Sequence, residues 1–226
     1  MAEGVLDQDP RARQLRTPRA AAVAGIVFSV LMISALVLLR LSVPSRPGAG
    51  GVWLTDAGKR TAVAVALNLV PFAGIAFLWF IGVVRARVGE REDRFFATVF
   101  LGSGLLFVAM LFVAAAVGGG LIAEASSGTP GAGTLALGRN VTGILLNVYA
   151  MRMAAVFTLT LVTIARRTAI VSRWLTVAGL VTAVLLLVGV GISAWVELIF
   201  PAWILVLSVD VLRAGQRAAN SSAPSG

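Results

Sequence analysis

From Ala20 onward, long stretches without charge alternate with short segments that hold most of the ionisable residues. Ala20 to Leu39 is uncharged, Thr61 to Val84 runs 24 residues without a charge, and Phe95 to Gly118 repeats the pattern. Val141 to Ala165 is a fourth run, broken only by Arg152, and Trp174 to Ile192 is a fifth. A helix crossing a hydrocarbon core of about 30 Å needs about 20 apolar residues, and each of these runs meets that length. The last is the shortest, with 12 uncharged residues between Glu197 and Asp210. It crosses only when both acids lie near the interfaces. The pattern therefore predicts an all-α polytopic bundle of six transmembrane helices, at about 20–41, 61–84, 95–118, 141–165, 174–192 and 195–213. Five spans with a re-entrant end are the alternative.

The connecting segments complete this picture. Met1 to Arg19 is polar and basic. The apolar run after it is longer than the 7–15 residues of a secretory signal core, and no A-x-A site follows it, so it reads as a retained first helix. Ser42 to Arg60 is a Pro/Gly-rich loop in which Trp53, Leu54 and Asp56 suit an interfacial turn. Leu121 to Asn140, rich in Gly, Ser and Ala, reads as a loop with a mobile tip at GTPGAG. The 193–194 region must hold a tight turn, and 214–226 reads as a disordered tail. With the N-terminus inside, cytoplasmic segments carry 13 basic residues and outer ones 5, Arg40 among the latter. Basic residues concentrate on the cytoplasmic side, so the expected arrangement is N-in/C-in in the cell membrane.

Composition narrows the function classes. Charged residues make up 13% of the chain and hydrophobic ones 58%, against about 25% charged in soluble domains. The net charge is +9, yet the arginines occupy turns between apolar runs rather than a soluble basic face, which argues against nucleic acid. The chain has no Cys and no His. Thiolate chemistry, zinc sites of the usual kind and His-based acid/base catalysis are therefore excluded. Gly102-Ser103-Gly104 invites comparison with a rhomboid-type serine protease, but no His or buried Lys could take the serine proton. Asp210 has no second carboxylate with which to form an aspartyl dyad. RARVGERED has no metal-ligand spacing. No catalytic residue, metal site or cofactor is expected.

The polar residue that most needs a reason is Arg152. A central Arg costs about 2.5–3.5 kcal/mol on insertion scales and normally faces the bundle interior or a wet cavity. At about 100° per residue, Tyr149, Thr160, Thr163 and Thr142 fall within an arc of about 80° that includes Arg152. This stripe has the form of the wall of an internal polar cleft. Asn68, beside the Leu67 carbonyl that Pro71 leaves without its helical donor, is the first candidate partner, and Glu197 the second. Arg152, Tyr149, Thr160, Thr163, Asn68 and Glu197 are thus the candidate ligand-binding set. Two plainer readings stand beside it: Arg152 locks helices together while the threonines bond their own backbone, or it snorkels toward lipid headgroups.

NLVPFAGIAFLWFIGVVRARVGEREDRFFATVFLGSGLLFVAM, with NVYAMRMAAVFTL and LIFPAWILVLSV further on, resembles a group of uncharacterised actinobacterial multi-pass membrane proteins. The resemblance covers about 60–212. It implies a membrane bundle and carries no activity or site residues. The leading expectation is a non-catalytic structural or partner-binding membrane component, surrounded by lipid and by a homo-oligomer or partner subunit. The alternative is a small transporter or solute-binding protein with its cleft around Arg152.

Overall fold

The computed structural model describes residues 10–43, 52–88, 94–128, 131–168, 172–189, 193 and 195–221. Parts of the charged loop at 85–94, the basic loop at 166–173 and both chain ends lie outside these residues, as does the tip at 129–130. Among the described residues every element is helical: α1 (Pro10–Ser42), α2 (Val52–Thr55), α3 (Ala57–Val88), α4 (Arg94–Ser127), α5 (Ala132–Gly143), a π-helical stretch (Ile144–Ala150), α6 (Met151–Thr168), α7 (Arg173–Val188), a 3₁₀ turn (Val196–Leu198) and α8 (Ile199–Ser221).

Five helical segments are long and apolar enough to cross a membrane: Arg19–Ser42, Ala57–Ala86, Phe95–Ser127, Ala132–Arg166 and Val196–Arg217. The fourth of these joins α5, the π-helical stretch and α6 without a break. The helix that falls short is α7, with 16 residues, or about 24 Å of rise. The weak segment is thus the fifth apolar run, not the sixth. The sixth gains length because Glu197 and Asp210 are tolerated inside one helical segment.

The expected loop over Leu121–Asn140 is not a loop, because helix covers both of its flanks. α4 continues through Leu121 to Ser127 and α5 begins at Ala132. Their contact explains why: a Cβ on Gly138 would overlap the Leu121 side chain at 2.6 Å, so the glycine lets that leucine lie directly on the α5 backbone. At 34 residues, α4 extends about 51 Å and outruns a hydrocarbon core of about 30 Å. Nor is 214–221 a disordered tail, since α8 extends to Ser221, with no proline before Pro224 to stop it.

Local chemistry fixes the corners. Asp56 Oδ1 accepts from the backbone N–H groups of Gly58 (2.9 Å) and Lys59 (3.1 Å), capping α3. Arg60 donates to the Leu54 carbonyl at 2.9 Å, tying α2 to α3. α3 continues unbroken through Pro71. Pro201 is the third residue of α8, where a missing N–H leaves no helical bond unmade.

The spans pack in a ring in the order α3, α1, α8, α7, α6, α4 and back to α3. At its centre α1, α3, α4, α6 and α8 each contribute one fully buried phenylalanine: Phe28, Phe77, Phe107, Phe157 and Phe200. Phe77 touches the other four, with ring centroids between 4.6 and 5.9 Å. In lipid no hydrophobic drive pulls helices together, so such contacts hold the bundle by dispersion and shape. Small residues bring backbones close enough for this. A Cβ on Gly25 of α1 would collide with Ser208 Oγ of α8.

Candidate functional site

One end of the bundle contains Arg40, α2, the start of α3, the end of α4 and α5. There the helices enclose a cavity of about 580 Å³. Its depth follows from register. Met32, Ala35, Leu36 and Leu39 of α1 line it up to Arg40, and Leu111, Ala114 and Gly118 of α4 rise beside them. Phe28 lies one turn below Met32 and Phe107 one turn below Leu111, so the phenylalanine cluster packs beneath the deep end.

Its polar groups gather in the half nearer the bundle end. Arg40 Nη2 donates to Glu197 Oε1 at 2.5 Å and to Asn147 Oδ1 at 3.2 Å, while Asn147 Nδ2 donates to the Gly143 carbonyl at 2.9 Å. These contacts join the last turn of α1, the π-helical stretch and the 3₁₀ turn before α8. The Glu197 side chain is 4% exposed and that of Arg40 23%, so the carboxylate depends on the guanidinium while Arg40 keeps partial access to the cavity. Arg139, Thr142, Trp53 and Ser193 complete the polar wall. Two of these groups have no partner: the indole Nε1–H of Trp53, a residue only 4% exposed, and Thr142 Oγ1.

The residues expected to form a cleft around Arg152 do not come together. Arg152 and Tyr149 lie on the outside of the bundle, Tyr149 54% exposed. The buried stripe of this helix is Ala150, Ala154, Phe157, Thr158 and Leu161, centred about 180° from Arg152. Thr160 and Thr163 donate to the carbonyls of Val156 and Leu159, each at 2.8 Å. Asn68 is exposed and donates to the Ala64 carbonyl at 2.8 Å, so it does not pair with Arg152. Glu197 is buried, but it bonds Arg40, not Arg152. Thr142 leaves the stripe for the cavity because the π-helical stretch between it and Arg152 changes the register. Ser103 of the Gly-Ser-Gly cluster donates to the Val99 carbonyl at 2.7 Å.

Arg152 stands 14 residues before Arg166, about 21 Å along the axis. That leaves about 9 Å to the opposite face of a 30 Å core, within reach of a snorkelling arginine with Tyr149 beside it at the interface. Arg152→Ala should therefore change unfolding stability by less than about 0.5 kcal/mol, as for surface positions elsewhere. Titration with denaturing detergent measures this. A loss above about 2 kcal/mol would mean that Arg152 has a buried partner after all.

Sequence reasoning missed Arg40, Asn147, Trp53 and Thr142 as members of one site. In sequence Arg40 reads only as one of the outer basic residues, whereas in the fold Leu41 and Ser42 extend its helix. The available signal was that Arg40 and Glu197 carry opposite charges at the same end of two spans. Among the described residues no cluster of acids could hold a metal ion.

The fold and the cavity define a class: an all-α bundle with five helices long and apolar enough to cross a membrane and a half-polar cavity at one end. No family model matches the chain, and no curated protein or solved structure matches it either.

Proposed function

We propose that this protein is a non-catalytic membrane component that binds a small molecule in the cavity beside Arg40, in an N-in/C-in arrangement that opens the cavity to the outer side of the cell membrane. The arginine bias among the connecting segments supports the orientation. The single observation that carries the binding reading is a cavity of about 580 Å³ with a buried ion pair in its wall. Ligand sites fall in the range of about 300–1,000 Å³ and combine apolar lining with a few placed polar groups. The phenylalanine cluster packed beneath the deep end supports binding rather than passage. A partner subunit fits this reading as the recipient of what is bound, and the lipid-facing Arg152 and Tyr149 serve as interface anchors.

The test is native mass spectrometry of protein taken directly from membranes. Wild type should carry one non-protein adduct per chain. Ala115→Trp, which fills the cavity from α4, should lose it while keeping its helical circular dichroism and melting transition. An adduct that survives the filled cavity, or a wild type that carries none, would overturn the reading.

A further inference from the structure

We propose that the occupant is an amphiphile with an anionic, oxygen-bearing head and an alkyl tail, its head held at Trp53, Thr142 and Arg40. This rests on the binding reading above and names the ligand class for the same cavity.

Three observations point to it. First, the wall is divided by depth. The polar groups are Arg40, Asn147, Trp53, Thr142 and their neighbours near the bundle end, whereas the deep part is Met32, Ala35, Leu36, Val70, Leu111 and Ala114. A wholly polar solute would leave that floor unmatched, and a wholly apolar one would leave the polar rim desolvated. An amphiphile satisfies both, head toward the interface and tail toward the midplane, as a lipid lies in its own leaflet.

Second, Arg40 on the wall keeps donors to spare. Glu197 takes only one Nη2 contact from Arg40. A guanidinium carries five N–H donors in a planar fork, and this one is 23% exposed, so it can receive a second oxyanion without releasing Glu197.

Third, the two orphaned polar groups on the wall are donors. Trp53 Nε1–H can only donate, and the Thr142 hydroxyl can. Buried donors are satisfied in folded proteins, so two in one cavity call for an acceptor. A cationic head would leave the indole N–H unmet and would face the Arg40 guanidinium.

The probes are sodium laurate, dodecyltrimethylammonium and acetate, added to the full-length protein in nanodiscs of phosphatidylcholine. A second arm replaces part of that lipid with phosphatidylglycerol, separating a bilayer lipid from a free amphiphile as the source. Laurate or phosphatidylglycerol should bind one per chain and raise the unfolding midpoint saturably. Acetate, with the head alone, and dodecyltrimethylammonium, with the opposite charge, should not. Trp53→Phe and Thr142→Val should each weaken that binding about 10- to 15-fold, the loss of one hydrogen bond to a charged group at the lower end of its range. Trp174→Phe, at an exposed tryptophan, should leave it unchanged. Tighter binding of the cation, or laurate binding that both cavity variants leave intact, would overturn the proposal. If wild type still carried an adduct that Ala115→Trp removes, the binding reading would stand and only the ligand class would fall.

Discussion

Arg40→Ala should destabilise the protein by about 3–5 kcal/mol, the cost of leaving a buried charge without its partner. The asymmetry in burial sets the size. Glu197 is 4% exposed and Arg40 23%, so water can reach an abandoned Arg40 more readily than an abandoned Glu197. Glu197→Gln should consequently cost less than Arg40→Ala, because the amide oxygen can still accept from Arg40 and no charge is stranded on the buried side. Replacing both residues with leucine should recover most of the loss, as apolar replacements of buried ion pairs often do. Unfolding free energies of the four proteins in mixed micelles measure this. A double variant no more stable than Arg40→Ala would sink the account of Glu197 as a dependent charge. The pair also bridges α1 to the start of α8, so the loss should appear as earlier separation of these two helices.

Phe77→Ala should cost about 2–3 kcal/mol. In water-soluble cores, Phe→Ala costs about 3–5 kcal/mol, part from transfer and part from the cavity left behind. Here the reference state is a helix among lipid tails, which welcome a phenylalanine as well as the core does, so the transfer part largely drops out. What remains is lost contact with Phe28, Phe107, Phe157 and Phe200. The control lies on the same helix: Phe72 and Trp79 are 62% and 71% exposed. Phe72→Ala should change stability by less than about 0.5 kcal/mol. If Phe72→Ala and Phe77→Ala had equal effects, the centre of the bundle would not be where these five rings meet.

The contrast between Phe72 and Phe77 shows why part of the structure was legible in sequence and part was not. Both are phenylalanines in one uncharged run, five residues apart. Nothing in that run tells which faces lipid, because lipid and bundle interior are equally apolar. In water the hydrophobic stripe of a helix marks its buried side, and that cue is absent here. The Arg152 stripe misled for the same reason. Its polarity suggests an interior cleft, yet the threonines satisfy themselves on their own backbone and Arg152 faces outward. The buried side of α6 is marked instead by small and aromatic residues, Ala154, Ala155 and Phe157, whose meaning depends on what the neighbouring helices present.

Length and charge alone determined that the chain is a helical membrane bundle, since uncharged runs must satisfy their backbone internally wherever water is excluded. They also ruled out His- and Cys-based chemistry. The tertiary structure decided which helices are neighbours, that helix continues through much of 121–140, and that Arg40 meets Glu197 and Asn147 in the wall of a cavity. Those outcomes depend on pairing residues up to 157 positions apart, and in a medium that does not sort polar from apolar faces, only the fit of one helix against another selects such pairs.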